Sequence, residues 1–154
     1  MGTERESIPH IIDNLRRVFQ AITEYSKTAE RSTGLTGPQL WALKILATAS
    51  PMKVSDLARQ MYLRPSTVVG ILDRLEGKQL VTRTRSMTDR RAVDLYLTEK
   101  GHELATEAPE VAQIMLVKGL TALTEEEFCT VEEGMKQMVK MLGAEDIIPQ
   151  PLHS

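Results

Sequence analysis

The sequence predicts a mainly α-helical fold that carries one small β-hairpin and has long helices at both ends of the chain. Three patterns point to it. Apolar residues near both termini recur at three-and-four spacing, the mark of a helix that buries one face. Two short amphipathic stretches, 54–61 and 65–78, are separated by a turn of Tyr62, Leu63 and Arg64. Two alternating stretches, 80–84 and 93–97, bracket a polar, arginine-bearing loop over 85–92, which reads as a hairpin.

Each element has its own signal. Ile8, Ile11, Ile12, Leu15, Val18, Phe19 and Ile22 form one apolar face, so a helix is expected over 8–30, ended by Gly34. Thr36 and Gln39 make a capping box ahead of Leu40, Trp41, Leu43, Ile45 and Leu46, and Ser50-Pro51 stops that second helix. Val54, Leu57, Ala58 and Met61 form the inner face of the third. Pro65 suits the first position of the fourth, where its missing N–H costs nothing, and Val68, Ile71, Leu72 and Leu75 face inward. In the hairpin, Leu95 and Leu97 face the core, with Asp94 and Tyr96 outward. A fifth helix starts at Thr98 and runs to about Leu120, with a kink at Pro109. A sixth opens on a second capping box, Thr124 and Glu127, with Glu125 and Glu126 complementing the helix dipole. Its apolar positions are Phe128, Val131, Met135, Met138, Val139 and Leu142, and the tail from Ile147 is expected to fray or to pack on a neighbour.

The net charge of −2 looks wrong for a partner of nucleic acid, but its distribution does not. Residues 53–91 carry +5 and residues 103–146 carry −7, with the rest balanced. A partner feels the local field, because salt screens charges beyond roughly 10 Å. No apolar run approaches the roughly 20 residues of a membrane span, and no secretion signal is evident, so a cytoplasmic protein without membrane contact is expected. The single cysteine, Cys129, excludes an internal disulfide, suits a reducing compartment and is expected as a small buried hydrophobe.

Helices three and four have the size and spacing of a helix-turn-helix, whose second helix enters the DNA major groove; the hairpin after them is a wing. On the second helix Arg64, Ser66, Thr67, Val69 and Gly70 lie near the N-terminus. Hydroxyls there reach phosphates or base edges, and methyls touch thymine. Arg64 occupies the N-cap, a place for Ser, Thr or Asp, which favours a DNA contact over a capping role. The wing carries Arg83, Arg85, Arg90 and Arg91, a residue type suited to phosphate and to narrow minor grooves.

This stretch resembles the MarR family of winged-helix transcription regulators. The family's wing signature, Asp-x-Arg followed by a Leu-x-Leu-Thr-x-x-Gly ending, stands here as DRRAVDLYLTEKG, Asp89 to Gly101. Ser66-Thr67-Val68 and Asp73-Arg74-Leu75 match the family's runs in the recognition helix, and the resemblance extends from about Ile8 to Leu142. It adds Arg74 and Asp89 to the DNA-binding set and implies that Asp89 braces Arg91, which enters the minor groove. Two positions depart. Gly70 replaces an Arg or another long polar residue common in relatives. Gln79 replaces the Gly that ends the helix, a change that Gly77 is expected to offset.

The reading is therefore a single subunit over 1–154, in which 1–34 and 103–154 are dimerisation helices and 35–101 is a winged-helix DNA-binding lobe. It implies a homodimer on double-stranded DNA at an inverted-repeat operator, acting as a repressor released by an effector. The effector is expected to be a small aromatic or amphipathic anion, with Arg16, Arg17 and Trp41 as its candidate ligands. The competing reading is a winged-helix protein–protein module without DNA binding, against which the wing arginines argue. An enzyme finds no support: no nucleophile elbow, phosphate loop or zinc spacing occurs, and His10, His102 and His153 are scattered. No catalytic residue, metal or cofactor is expected. Met115, Met135, Met138 and Met141 read as adaptable core.

Overall fold

The computed structural model describes residues 6–152; His153, one of the scattered histidines, lies outside them. In chain order the elements are α1 (Ile8–Thr33), α2 (Gly37–Thr48), β1 (Met52–Lys53), α3 (Val54–Gln60), α4 (Pro65–Gly77), β2 (Val81–Arg85), β3 (Val93–Leu97), α5 (Glu99–Glu107), α6 (Ala112–Ala122) and α7 (Glu125–Met141).

The ends of the helices follow their capping chemistry. Gly34 closes α1 at φ 72°, and its N–H donates to the Glu30 carbonyl. Both capping boxes form, Thr36 with Gln39 and Thr124 with Glu127. The Thr98 hydroxyl accepts from the Gly101 N–H at 3.0 Å and starts α5. Helix α2 is the hub: Leu40, Ala42, Leu43 and Leu46 are fully buried. Leu57, Ala58 and Met61 of α3, Val68, Leu72 and Leu75 of α4, and Leu80, Val81 and Leu95 of the hairpin close around it. Burial of each such side chain contributes about 1.5–3 kcal/mol, so this cluster holds the winged-helix lobe together.

The sheet is antiparallel with order β1-β3-β2. Strand β1 has no counterpart in the sequence reading. Two residues are too few to show a period, and the strand exists because Met52 lies opposite Leu95 and is buried there.

Three expectations are corrected. The stretch 98–120 is two helices with a break, not one kinked helix. Ala108, ahead of Pro109, sits at φ −70° and ψ 149°, since proline drives the preceding residue out of the helical region. The Lys44 ammonium donates to the Ala108 carbonyl at 3.1 Å, tying the broken end to α2. Second, Gly77 is the last helical residue, and the reversal falls on Gln79 at φ 61°. Its N–H donates to the Glu76 carbonyl, and the Leu80 N–H to that of Leu75. A side chain in the left-handed region costs roughly 1–2 kcal/mol. Glycine escapes that cost but loses about 0.5–1 kcal/mol more chain entropy, so Gln79→Gly is expected to stabilise the protein by up to about 1 kcal/mol, read as a higher urea midpoint at unchanged slope. A lower midpoint would show that the glutamine side chain supports the turn.

The third concerns the terminal helices. No residue of α7 is buried in the subunit. Cys129 is exposed rather than buried, and Met115, Met135 and Met141 are exposed rather than core. Capping and an amphipathic pattern favour the helix, but none of the described residues buries its apolar side. The tail does fold back: the Gln113 side-chain amide donates to the Leu152 carbonyl at 2.6 Å.

Candidate nucleic-acid interface

Helix α4 is amphipathic in a way that separates packing from presentation. Val68, Ile71, Leu72 and Leu75 are buried, while Arg64, Ser66, Val69, Gly70 and Arg74 are exposed and Thr67 is half-buried. Arg64 is the N-cap residue in extended conformation and makes no capping hydrogen bond with its side chain, which leaves its guanidinium free to face solvent. At Gly70 an added Cβ would meet nothing within 4 Å, so the middle of the exposed face is open space.

The wing tip is organised by two short polar side chains. Ser86 is buried although it sits in a loop. Its hydroxyl accepts from the N–H groups of Thr88 and Asp89, both at 3.3 Å. Asp89 then accepts from the Arg91 backbone N–H at 3.0 Å. The Ala92 N–H donates to the Asp89 carbonyl, and the Ser86 N–H to the Ala92 carbonyl. The result is a closed turn with Met87, Arg90 and Arg91 pointing outward. Asp89 therefore braces Arg91 through the backbone, where the family resemblance implied a brace on the side chain. Ser86 was missed at the sequence level. Ser86-x-x-Asp89 is a local hydroxyl-to-backbone pattern that could have flagged it.

The wing arginines divide into two kinds. Arg85, Arg90 and Arg91 are exposed and form no ion pair among the described residues. Arg83 is different. Its Nη2 donates to Asp73 Oδ1 at 2.6 Å and its Nε to Glu76 Oε2 at 2.7 Å, both on α4. Those two hydrogen bonds raise its pKa above the ordinary arginine value. Two of its five N–H donors are thus engaged within the protein, which sets it apart from the other wing arginines.

The candidate effector residues are not brought together. Arg16 pairs with Asp13 and Arg17 with Asn14 on the exposed side of α1. Trp41 lines a separate groove of about 480 Å³ between α2 and the α5–α6 segment, where the nearby cations are Lys44 and Lys118. Sequence spacing cannot show which part of α1 is covered by the rest of the chain: its buried residues are Ser26 and Ala29, and Arg16 and Arg17 lie in the exposed N-terminal half. Among the described residues no group of three His, Cys, Asp or Glu side chains is placed to hold a metal ion, and no helix is long and apolar enough to cross a membrane.

Comparison with known proteins bears on the same segment. The MarR family model matches residues 35–93, from the start of α2 to the start of β3. The HTH-type transcriptional repressor MdtR of Bacillus subtilis (strain 168) is 36% identical over 114 residues, covering 74% of each chain. The chain belongs to the MarR family. Its fold is also that of solved MarR-type proteins. A MepR-like protein complexed with pseudoligands is 27% identical with a TM-score of 0.58, over 88% of this chain and 96% of that one. The MepR–DNA complex of S. aureus, at 22% identity, shares the fold with a TM-score of 0.58 over 83% and 94%. MarR-family membership makes this chain a transcriptional regulator of the winged helix-turn-helix type.

Proposed function

We propose that this MarR-family chain acts as a homodimer on an inverted-repeat DNA operator, as a repressor that a small effector releases. The observation that carries the DNA contact is the pairing of two adjacent surfaces. The exposed face of α4 presents Ser66, Thr67 and Val69, and beside it the wing presents Arg85, Arg90 and Arg91 without internal partners. Helix α4 enters the major groove and the wing reaches the flanking minor groove. Arg64 and Arg74 meet phosphate, which supplies affinity without sequence information. The DNA that the S. aureus relative holds supports this reading. The protein's place is then the cytoplasm, with its operator.

The dimer rests on unburied apolar surface. Phe128, Val131, Met135 and Val139 of α7 are exposed, as are Ile11, Val18 and Phe19 of α1. An apolar groove of about 400 Å³ runs between α1 and α6, lined by Val18, Ile22, Tyr25, Met115, Leu116 and Leu120. Contiguous apolar surface of this kind marks an interface. In this reading the described parts of the two terminal segments, 6–34 and 103–152, carry the dimer contacts, with Ala29, Ala105 and Val111 also packed into the core of the 35–101 lobe. Sedimentation is expected to give about twice 17.2 kDa at low micromolar concentration. Footprinting is expected to show protection with dyad symmetry, its half-sites about one helical turn apart. A folded monomer, or an asymmetric footprint, would overturn the reading.

The effector we propose is a small aromatic or amphipathic anion, bound in the groove beside Trp41, where Lys118 and Lys44, which also donates to the Ala108 carbonyl, stand against the one lining carboxylate, Glu110, in place of Arg16 and Arg17. The pseudoligands held by the MepR-like relative support a ligand site in this fold. A ligand lowers DNA affinity only by its preference for the DNA-free arrangement of the lobes. Calorimetry with salicylate, with and without operator, is expected to show weaker salicylate binding to the DNA complex. Release of DNA by peroxide or zinc, with salicylate inert, would refute this part.

A further inference from the structure

The ion pairs of Arg83 assign it a task other than touching the duplex. The base of the hairpin is anchored in the core, since Val81 and Leu95 are buried and the Thr98 hydroxyl donates to the Leu80 carbonyl at 3.0 Å. Past Val81 the strand leaves the core, and Thr84 and Arg85 are exposed. The tip is closed on itself by Ser86 and Asp89. At the upper edge of this anchor, opposite Leu95, the side-chain hydrogen bonds that join the hairpin to α4 among the described residues are those of Arg83. Asp73 and Glu76 lie one helical turn apart, on the same side of α4. The planar guanidinium spends two differently directed N–H groups on them, which fixes its plane as well as its distance. Its side chain is 27% exposed, against 58% for Asp73 and 43% for Glu76, so the arginine lies beneath its partners.

We propose that Arg83 is a positioning residue, which sets the angle of the wing to the recognition helix and offsets one of the two carboxylate charges that Asp73 and Glu76 place on that helix, without itself meeting DNA. The proposal rests on the DNA-binding reading above. Its physical content is a matching problem. The residues of α4 and the arginines of the wing must reach neighbouring grooves at once, and a hairpin held only by its pairing with β1 and by the buried Val81 and Leu95 would still let the segment beyond Asp94 spread over many orientations relative to α4. Each of those must be given up on binding. The brace removes that cost in advance. It also screens Asp73 and Glu76, which would otherwise repel the phosphates that α4 approaches.

The test uses the full-length protein and a duplex that the wild type selects from a random-sequence pool. Arg83→Gln is expected to weaken binding roughly ten-fold, as coupled residues in one network do. The salt dependence should keep the wild-type slope. In the protein without DNA, amides of residues 84–92 should exchange faster with solvent. Arg91→Ala, for comparison, is expected to lower the slope by about one. The double variant Asp73→Asn with Glu76→Gln approaches the brace from its other side. It should loosen the same amides and weaken selected-duplex binding, although it removes two negative charges from the DNA-facing helix. Arg83→Lys, able to hold one acid at a time, should fall between and serves if the glutamine variant does not fold. A slope reduced by about one in Arg83→Gln with unchanged exchange would make Arg83 a phosphate contact and overturn the proposal. So would tighter binding by the acid-free variant, or a looser hairpin with wild-type affinity. If the wild type selects no duplex, the DNA reading fails, and the exchange measurement still decides on the brace.

Discussion

Replacing Gly101 by alanine is expected to lower the melting temperature by roughly 4–16 °C, the largest stability effect of an added methyl at any of the described glycines. Gly101 is buried in the first turn of α5, where a Cβ would sit 2.2 Å from the Leu80 carbonyl oxygen and 3.0 Å from Leu97 Cδ1. The oxygen is backbone and cannot swing away. It accepts from the Thr98 N–H at 3.0 Å and from the Thr98 hydroxyl, whose oxygen also caps α5. Relief of the clash would break that cluster and move α5 off the hairpin. Overpacking of this kind costs typically 1–3 kcal/mol and more where backbone must move, against about 1 kcal/mol that alanine gains over glycine in a helix. A net loss of about 2–4 kcal/mol is the expected result, at about 2–4 °C per kcal/mol for a chain of this size. Gly77→Ala is the control. It lies in the last turn of α4 with nothing within 4 Å, and should be neutral or slightly stabilising. Thermal melts of the two variants at one protein concentration decide the matter. Equal melting temperatures would mean that α5 and the hairpin do not meet as described.

Arg91→Ala is expected to weaken operator binding by roughly ten- to a hundred-fold and to lower the salt slope by about one, with the melting temperature unchanged. Arg91 is exposed and makes no ion pair among the described residues, so its removal is expected to cost the fold little. Its backbone N–H is held by Asp89 at 3.0 Å, which aims the side chain away from the turn. Asp89 can be separated into charge and geometry on this basis. Asp89→Asn keeps an oxygen for the Arg91 N–H and should retain most of the affinity. Asp89→Ala removes the acceptor, opens the tip and should weaken binding several-fold. Titrations with operator and with random duplex at several salt concentrations read all three. If Asp89→Asn were as poor as Asp89→Ala, the carboxylate charge would matter more than the turn. If Arg91→Ala bound like wild type, the wing would have no part in recognition.

Much of this protein was determined locally. The capping boxes at Thr36 and Thr124, the stop at Gly34 and the inward face of α4 were legible because each depends on residues within one or two helical turns. The winged helix-turn-helix was legible for the same reason, since its helices, its turn and its hairpin follow one another without interruption. The tertiary structure alone decided what depends on contacts distant in sequence. Strand β1 exists only because Met52 finds Leu95. Arg83 looked like its neighbours in the wing until the fold carried β2 past Asp73 and Glu76. Arg16 and Trp41 are both candidate ligand groups by type, yet Arg16 pairs with Asp13 in the exposed half of α1 and does not line the groove that holds Trp41. The break at Ala108 falls where the rule for residues before proline puts it, and the lysine that ties it down comes from α2. A side chain's type and period are written in its immediate neighbours. Its partner is chosen by the path of the whole chain, and a charge made free or committed by that path has the same letter in the sequence.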